Sequence, residues 1–123
     1  MERSLTTPAE VSELTELYDI YGELLNDKQR TIFEDYFIED YSLAEVAEEC
    51  DITRQGVYDT LNRIRKKLRS YENCMRIRER TGAIEERLGG MEQTLRIVRE
   101  GGVISDDEID ELQNRVNEIR ELL

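Results

Sequence analysis

The chain has 123 residues, enough for one small domain or for one domain with a helical extension. Lys and Arg total 17 against 29 Asp and Glu, a formal net charge of -12, and the chain has no His, no Trp and one Pro. The lack of His excludes a His-dependent triad, an imidazole base and the common zinc sites, and an average this acidic argues against indiscriminate nucleic-acid binding.

Residues 9–25 place Val11, Leu14, Leu17, Tyr18, Tyr21, Leu24 and Leu25 at three- and four-residue steps, as one face of a helix requires. Asn26 with Gln29 has the form of a capping box and opens a second helix over about Asp27 to Ile38. Glu39, Asp40 and Tyr41 read as a connector. A second capping box, Ser42 with Glu45, opens a short helix over about Leu43 to Cys50, with Leu43, Val46, Ala47 and Cys50 inward. Asp51 and Ile52 form a tight break, and Thr53 is placed to cap the next helix. That helix has no breaker beyond Gly56 until Thr81 and Gly82, so it is predicted to run to about Arg80.

On it Val57, Leu61, Ile64, Leu68, Tyr71 and Met75 follow heptad spacing. A similar run follows at Ile84, Leu88, Met91, Leu95 and Val98, interrupted by Gly89 and Gly90. Gly101 and Gly102 make a break. Ser105 with Glu108 is a third capping box, before heptad-spaced Ile109, Leu112, Val116, Ile119 and Leu123. No segment shows strand alternation. The expected fold is all-α, with a helix-turn-helix domain over residues 1–80 and a C-terminal helical extension over residues 81–123.

The segment from Leu43 to Ile64 has the packing pattern of a helix-turn-helix. Ala47 is the small residue where two helices cross. Val46 and Cys50 are core contacts of the first helix, Ile52 is the buried turn residue, and Val57, Leu61 and Ile64 face inward on the second. Asp51 stands where many such turns have Gly, and Asp tolerates the left-handed region better than most residues. Gly56 costs roughly 1 kcal/mol of helix propensity against Ala, which close packing on the preceding helix would explain.

Charge separates along the chain. Residues 1–53 carry 3 positive and 15 negative side chains, residues 54–80 carry 9 and 3, and residues 81–123 carry 5 and 11. The positive charge therefore gathers in one stretch, with no acid from Arg63 to Ser70. A solvated face of alternating sign would not show that gap, so the stretch reads as a contact surface for an anionic polymer. The outward residues Thr53, Arg54, Gln55, Tyr58, Asp59 and Asn62 include the types that read base edges: Arg for guanine, Gln or Asn for adenine, Asp for the cytosine amine. Arg63, Arg65, Lys66, Lys67 and Arg69 suit phosphates.

These residues carry a resemblance. The segment LLNDKQRTIFEDYFIEDYSLAEVAEECDITRQGVYDTLNRIRKKL, Leu24 to Leu68, resembles region 4 of the bacterial sigma factors. More narrowly, LYDIYGELLNDKQR (Leu17 to Arg30) together with ITRQGVYD (Ile52 to Asp59) resembles the YlxM-like family of small helix-turn-helix proteins. The resemblance covers about Leu17 to Tyr71. It implies an all-helical fold and an association with the signal recognition particle pathway, as a regulator or accessory factor. It also implies Arg54, Gln55, Tyr58, Asp59 and Asn62 as reading positions.

Two functions follow as expectations. One is a regulator binding duplex DNA or structured RNA. The other is an adaptor whose charged faces dock proteins such as a targeting GTPase. An enzyme is not expected, since the carboxylates sit on solvated faces without a phosphate loop, a His or a reactive Cys context. No cofactor is implied. Cys50 and Cys74 are 24 residues apart and read as structural. The heptad seams suit either a folded-back helix or a homodimer, and a homodimer is expected. No apolar run approaches the roughly 20 residues of a membrane span, and no apolar signal core follows Met1, which points to the cytoplasm.

Overall fold

In a computed structural model, residues 7–123 are described, and among them the chain forms six α-helices and no strand. It divides into two compact units between Arg76 and Ile77.

The first unit is built by caps and one apolar face per helix. Helix α1 (Pro8–Tyr21) starts at Thr7, whose hydroxyl accepts from the Glu10 amide at 3.1 Å, with Pro8 in the first turn, where its missing N–H costs nothing. A short 3-10 turn, Gly22–Leu24, follows. It buries Leu25 and leaves Leu24 exposed, so the helical period expected to continue to Leu25 stops at Tyr21. Helix α2 (Asp27–Phe33) opens on the Asn26–Gln29 capping box and continues as a π turn, Glu34–Ile38. The wider turn rotates the register, so Tyr36 is buried and Ile38 is exposed.

Helix α3 (Leu43–Cys50) opens on the Ser42–Glu45 box. Its end is a Schellman motif made with Asp51 in place of Gly. Asp51 is left-handed at φ 54°, its amide donates to the Glu48 carbonyl, and the Ile52 amide donates to the Ala47 carbonyl at 3.0 Å. Ile52 then packs on the core. Helix α4 (Arg54–Met75) is capped by Thr53, whose hydroxyl accepts from the Gly56 amide at 2.9 Å.

Ile32, Tyr36, Val46, Ala47, Val57 and Leu61 form one buried cluster, with Phe37, Tyr41, Leu43, Cys50 and Ile52 at its margin. Leu14, Leu17, Ile64 and Leu68 are buried as well, where α1 packs on α4. Tyr18 stacks on Phe33 at 4.3 Å and donates to the Glu34 carboxylate, while Tyr21 donates to Glu72 of α4 at 2.6 Å.

Helix α4 stops earlier than its sequence predicts. Arg76, at φ 53°, forms a left-handed C-cap, ahead of the Thr81–Gly82 break that was expected to end the helix. Arg is a poor left-handed residue, which is why residue type does not mark the break. Gly82, Gly89 and Gly90 all lie inside helix α5 (Ile77–Arg99) and do not interrupt it. The second unit pairs α5 with helix α6 (Asp106–Leu122), which opens on the Ser105–Glu108 box. Between them Gly101, at φ 88°, and Gly102 close α5 with a second Schellman motif, the Gly102 amide donating to the Ile97 carbonyl at 2.8 Å. None of the described helices is long and apolar enough to cross a membrane.

Candidate nucleic-acid interface

The turn fixes the start of α4, and α4 carries every candidate residue except its cap. Val57, Leu61, Ile64 and Leu68 bury one face, so the opposite face is displayed to solvent by the period of the helix. Thr53, Arg54, Gln55, Tyr58, Asp59, Arg63, Lys66 and Lys67 are exposed, and Asn62, Arg65 and Arg69 are half-buried.

These side chains fall into three groups. Gln55 donates to Asp59 at 3.0 Å, one turn along, so the two polar ends act as a unit at the start of the helix. Arg54, Arg63, Lys66 and Lys67 are exposed and make no ion pair among the described residues. Arg65 and Arg69 turn toward α1. Arg69 Nη2 lies 2.7 Å from Glu10 Oε2 and 3.2 Å from Glu13 Oε1, and Arg65 Nη2 lies 3.8 Å from Glu10 Oε1. Arg65 also donates to Asn62 at 3.3 Å. The Glu10 hydrogen bond, and then that to Glu13, holds Arg69 above its ordinary pKa.

The residues expected to meet an anion are therefore split. One set is open to solvent, and the other is already engaged by carboxylates. Sequence reasoning did not foresee Glu10 and Glu13, because they sit 59 and 56 residues from Arg69. Their three-residue spacing on one face of α1 is a signal, but only the packing of α1 on α4 gives it a partner.

Gly56 also differs from its expected role. A Cβ there would meet the Thr53 hydroxyl at 3.2 Å and Ile52 Cδ1 at 3.7 Å, so the crowding comes from the turn and its cap rather than the preceding helix. On α3, Glu45, Glu48 and Glu49 line a shallow groove with Tyr41. The motif thus shows a basic second helix beside an acidic first one. Cys50 is half-buried at the core margin, where burial pushes its thiol pKa up, and Cys74 is exposed. Among the described residues no group of His, Cys, Asp and Glu could hold a metal ion.

A capped helix, a left-handed turn and a second helix with a solvent-facing basic side define a helix-turn-helix protein. Residues 9–100 match the family model described as "Putative helix-turn-helix protein, YlxM / p13 like". The chain belongs to that family. It is 47% identical over 87 residues to a UPF0122 protein of Thermoanaerobacter sp. (strain X514), covering 71% of this chain and 74% of the relative. A UPF0122 protein of Caldanaerobacter subterraneus is 59% identical over 59 residues, covering 48% of this chain and 50% of its own. One from Lactococcus lactis subsp. cremoris (strain MG1363) is 46% identical over 66 residues, covering 54% and 60%.

Proposed function

We propose that this chain is a cytoplasmic nucleic-acid-binding regulatory or accessory protein, not an enzyme, which meets its target with α4. The observation that carries this reading is the solvent-exposed group of Arg63, Lys66 and Lys67 on the side of α4 opposite its buried Val57, Leu61, Ile64 and Leu68, with Arg54 exposed at the helix start. Such a group gives phosphates several point charges on one side of the helix. At the start of the same helix, Thr53, Arg54, the Gln55–Asp59 pair, Tyr58 and Asn62 are the residues proposed to read the target, while Arg65 and Arg69 form a reserve held by α1.

Duplex DNA and structured RNA both present the required charge. The association with the signal recognition particle pathway that the resemblance implies makes that particle's RNA the first RNA to try, read mainly through shape and backbone. The test is a fluorescence-anisotropy titration at about 0.15 M salt, where surface charge is already screened. Labelled particle RNA and a random duplex pool would be compared. Saturable binding to either, weakened by Arg54→Ala and Gln55→Ala, supports the reading. No binding by the folded chain to either refutes it for those ligands.

A second reading is favoured by the acidic groove of Glu45, Glu48 and Glu49 on α3. There the chain is an adaptor for a basic protein surface, such as that of a targeting GTPase. Under it, charge reversal on α3 abolishes partner capture, and Arg54→Ala leaves it intact.

A further inference from the structure

One side chain on the outer side of α4 works against phosphate binding. Gln55, Asp59, Asn62 and Lys66 follow one another at steps of four, three and four, each two residues before the buried Val57, Leu61, Ile64 and Leu68. Two residues turn a helix by about 200°, so the first four lie on the side opposite the core. Asp59 therefore stands in the middle of the side that carries Arg63 and Lys66. It is exposed, and it is the one carboxylate between Arg54 and Tyr71. There it repels phosphate and lowers affinity for any polyanion bound without regard to sequence. Helix chemistry does not account for it: Asp59 lies beyond the first turn of α4, where the charge of the helix N-terminus has faded, and Thr53 already caps that end.

Gln55 Nε2 donates to Asp59 Oδ1 at 3.0 Å. A carboxylate only accepts, so the contact decides which end of the Gln55 amide faces Asp59. It restrains the Asp59 side chain and leaves Asp59 Oδ2 and Gln55 Oε1 able to accept from a donor outside the protein. Base edges differ in what they offer such a pair. Cytosine presents its N4 amine, adenine sets an N6 amine beside the N7 acceptor, and guanine and thymine present carbonyl oxygens. We propose that Asp59, positioned by Gln55, is a specificity determinant of α4, which accepts from the N4 amine of cytosine and rejects a base with an oxygen in that place. The inference rests on the reading of α4 as a nucleic-acid interface. A C·G pair offers this amine in the major groove of duplex DNA, and an unpaired cytosine offers it in an RNA loop. The carboxylate weakens binding to every site and is compensated only where the amine is present, which is how a repulsive group produces choice.

The test is selection from two random pools, duplex DNA and hairpin RNA with a random loop, by the full-length wild type and by Asp59→Asn. Asn keeps the shape of the side chain, removes its charge and adds a donor, and circular dichroism checks that the helices are retained. Each enriched cytosine is then changed to thymine or uracil, which puts an oxygen where the amine was, and the two ligands are compared by anisotropy. The wild type is expected to prefer cytosine at one position by about tenfold, within what one good base contact contributes. Asp59→Asn is expected to reduce that preference to about twofold or less, and to bind the unselected pools more tightly than the wild type. Lys66→Ala is expected to weaken both ligands and keep the preference. The pool that yields the preferred ligand distinguishes the major groove from the loop. A wild-type selection without an enriched cytosine, or a preference that Asp59→Asn leaves unchanged, would overturn the proposal and leave the basic side of α4 in place. Failure of both proteins to bind either pool would overturn both.

Discussion

Replacing Glu10 and Glu13 together with Gln tests how the basic helix is held. The substitutions keep side-chain shape and hydrogen-bonding capacity but remove two negative charges from Arg65 and Arg69. The contacts are at 2.7, 3.2 and 3.8 Å, and all four side chains are partly open to solvent. Partly exposed pairs contribute about 0.2–1 kcal/mol each, so the network contributes about 1 kcal/mol. For a unit of this size, a loss of about 1 kcal/mol lowers Tm by about 4–8 °C. The same change releases two guanidinium groups on a helix that already displays Arg63, Lys66 and Lys67. If both then reach phosphates, the slope of log affinity against log salt steepens by about 1.8. Urea unfolding and anisotropy at several salt concentrations read the two effects separately. A protein that loses stability without gaining affinity or slope would show that Arg65 and Arg69 serve only the packing of α1 on α4. An unchanged stability would show that the pairs hold nothing.

Three further substitutions follow from the fold. Ile64→Ala, at a fully buried position between helices, should cost about 2–5 kcal/mol in urea unfolding, and a smaller loss would mean that the core does not close there. Asp51→Gly should leave stability within about 0.5 kcal/mol, because relief of the left-handed backbone offsets added freedom in the unfolded chain, whereas Asp51→Ala should lose about 1 kcal/mol. Equal tolerance of both would remove the left-handed turn from the account. Burial, and then the Glu34 hydrogen bond, raise the Tyr18 phenol above its usual 10.0. The stability this group supplies is therefore complete below pH 10 and falls as pH rises beyond it. Tyr18→Phe should flatten that fall in unfolding midpoints taken from about pH 8 to 11, and an identical fall in the variant would assign it to other groups.

The parts legible in the sequence are those fixed by local chemistry. Asn26 with Gln29, Ser42 with Glu45 and Ser105 with Glu108 each form the reciprocal cap that their spacing implies. The inward faces of α3 and α4 follow from period alone, and Val46, Val57, Leu61, Ile64 and Leu68 are all buried. What was not legible depends on packing or on an uncommon backbone state. Arg76 ends α4 in a conformation that its side chain disfavours, while Gly82, Gly89 and Gly90 pass as ordinary helical residues. The π turn after Phe33 is invisible to a 3.6-residue period, and it decides that Ile38 is exposed. The candidate site shows the same division. Its exposed residues follow from the helical wheel, but the engagement of Arg65 and Arg69 needs α1, which only the tertiary fold brings near.

On the proposed function, the open basic side of α4 meets phosphate through Arg63, Lys66 and Lys67. The most direct measurement is the salt dependence of nucleic-acid affinity for the wild type and for Arg63→Ala/Lys66→Ala/Lys67→Ala, by anisotropy on one labelled duplex and one labelled structured RNA. Removal of three phosphate contacts should lower the magnitude of the log–log slope by about 2.7 and weaken binding to whichever ligand the wild type prefers. A triple variant that keeps its fold, its affinity and its slope would contradict the claim and turn attention to the acidic groove of α3.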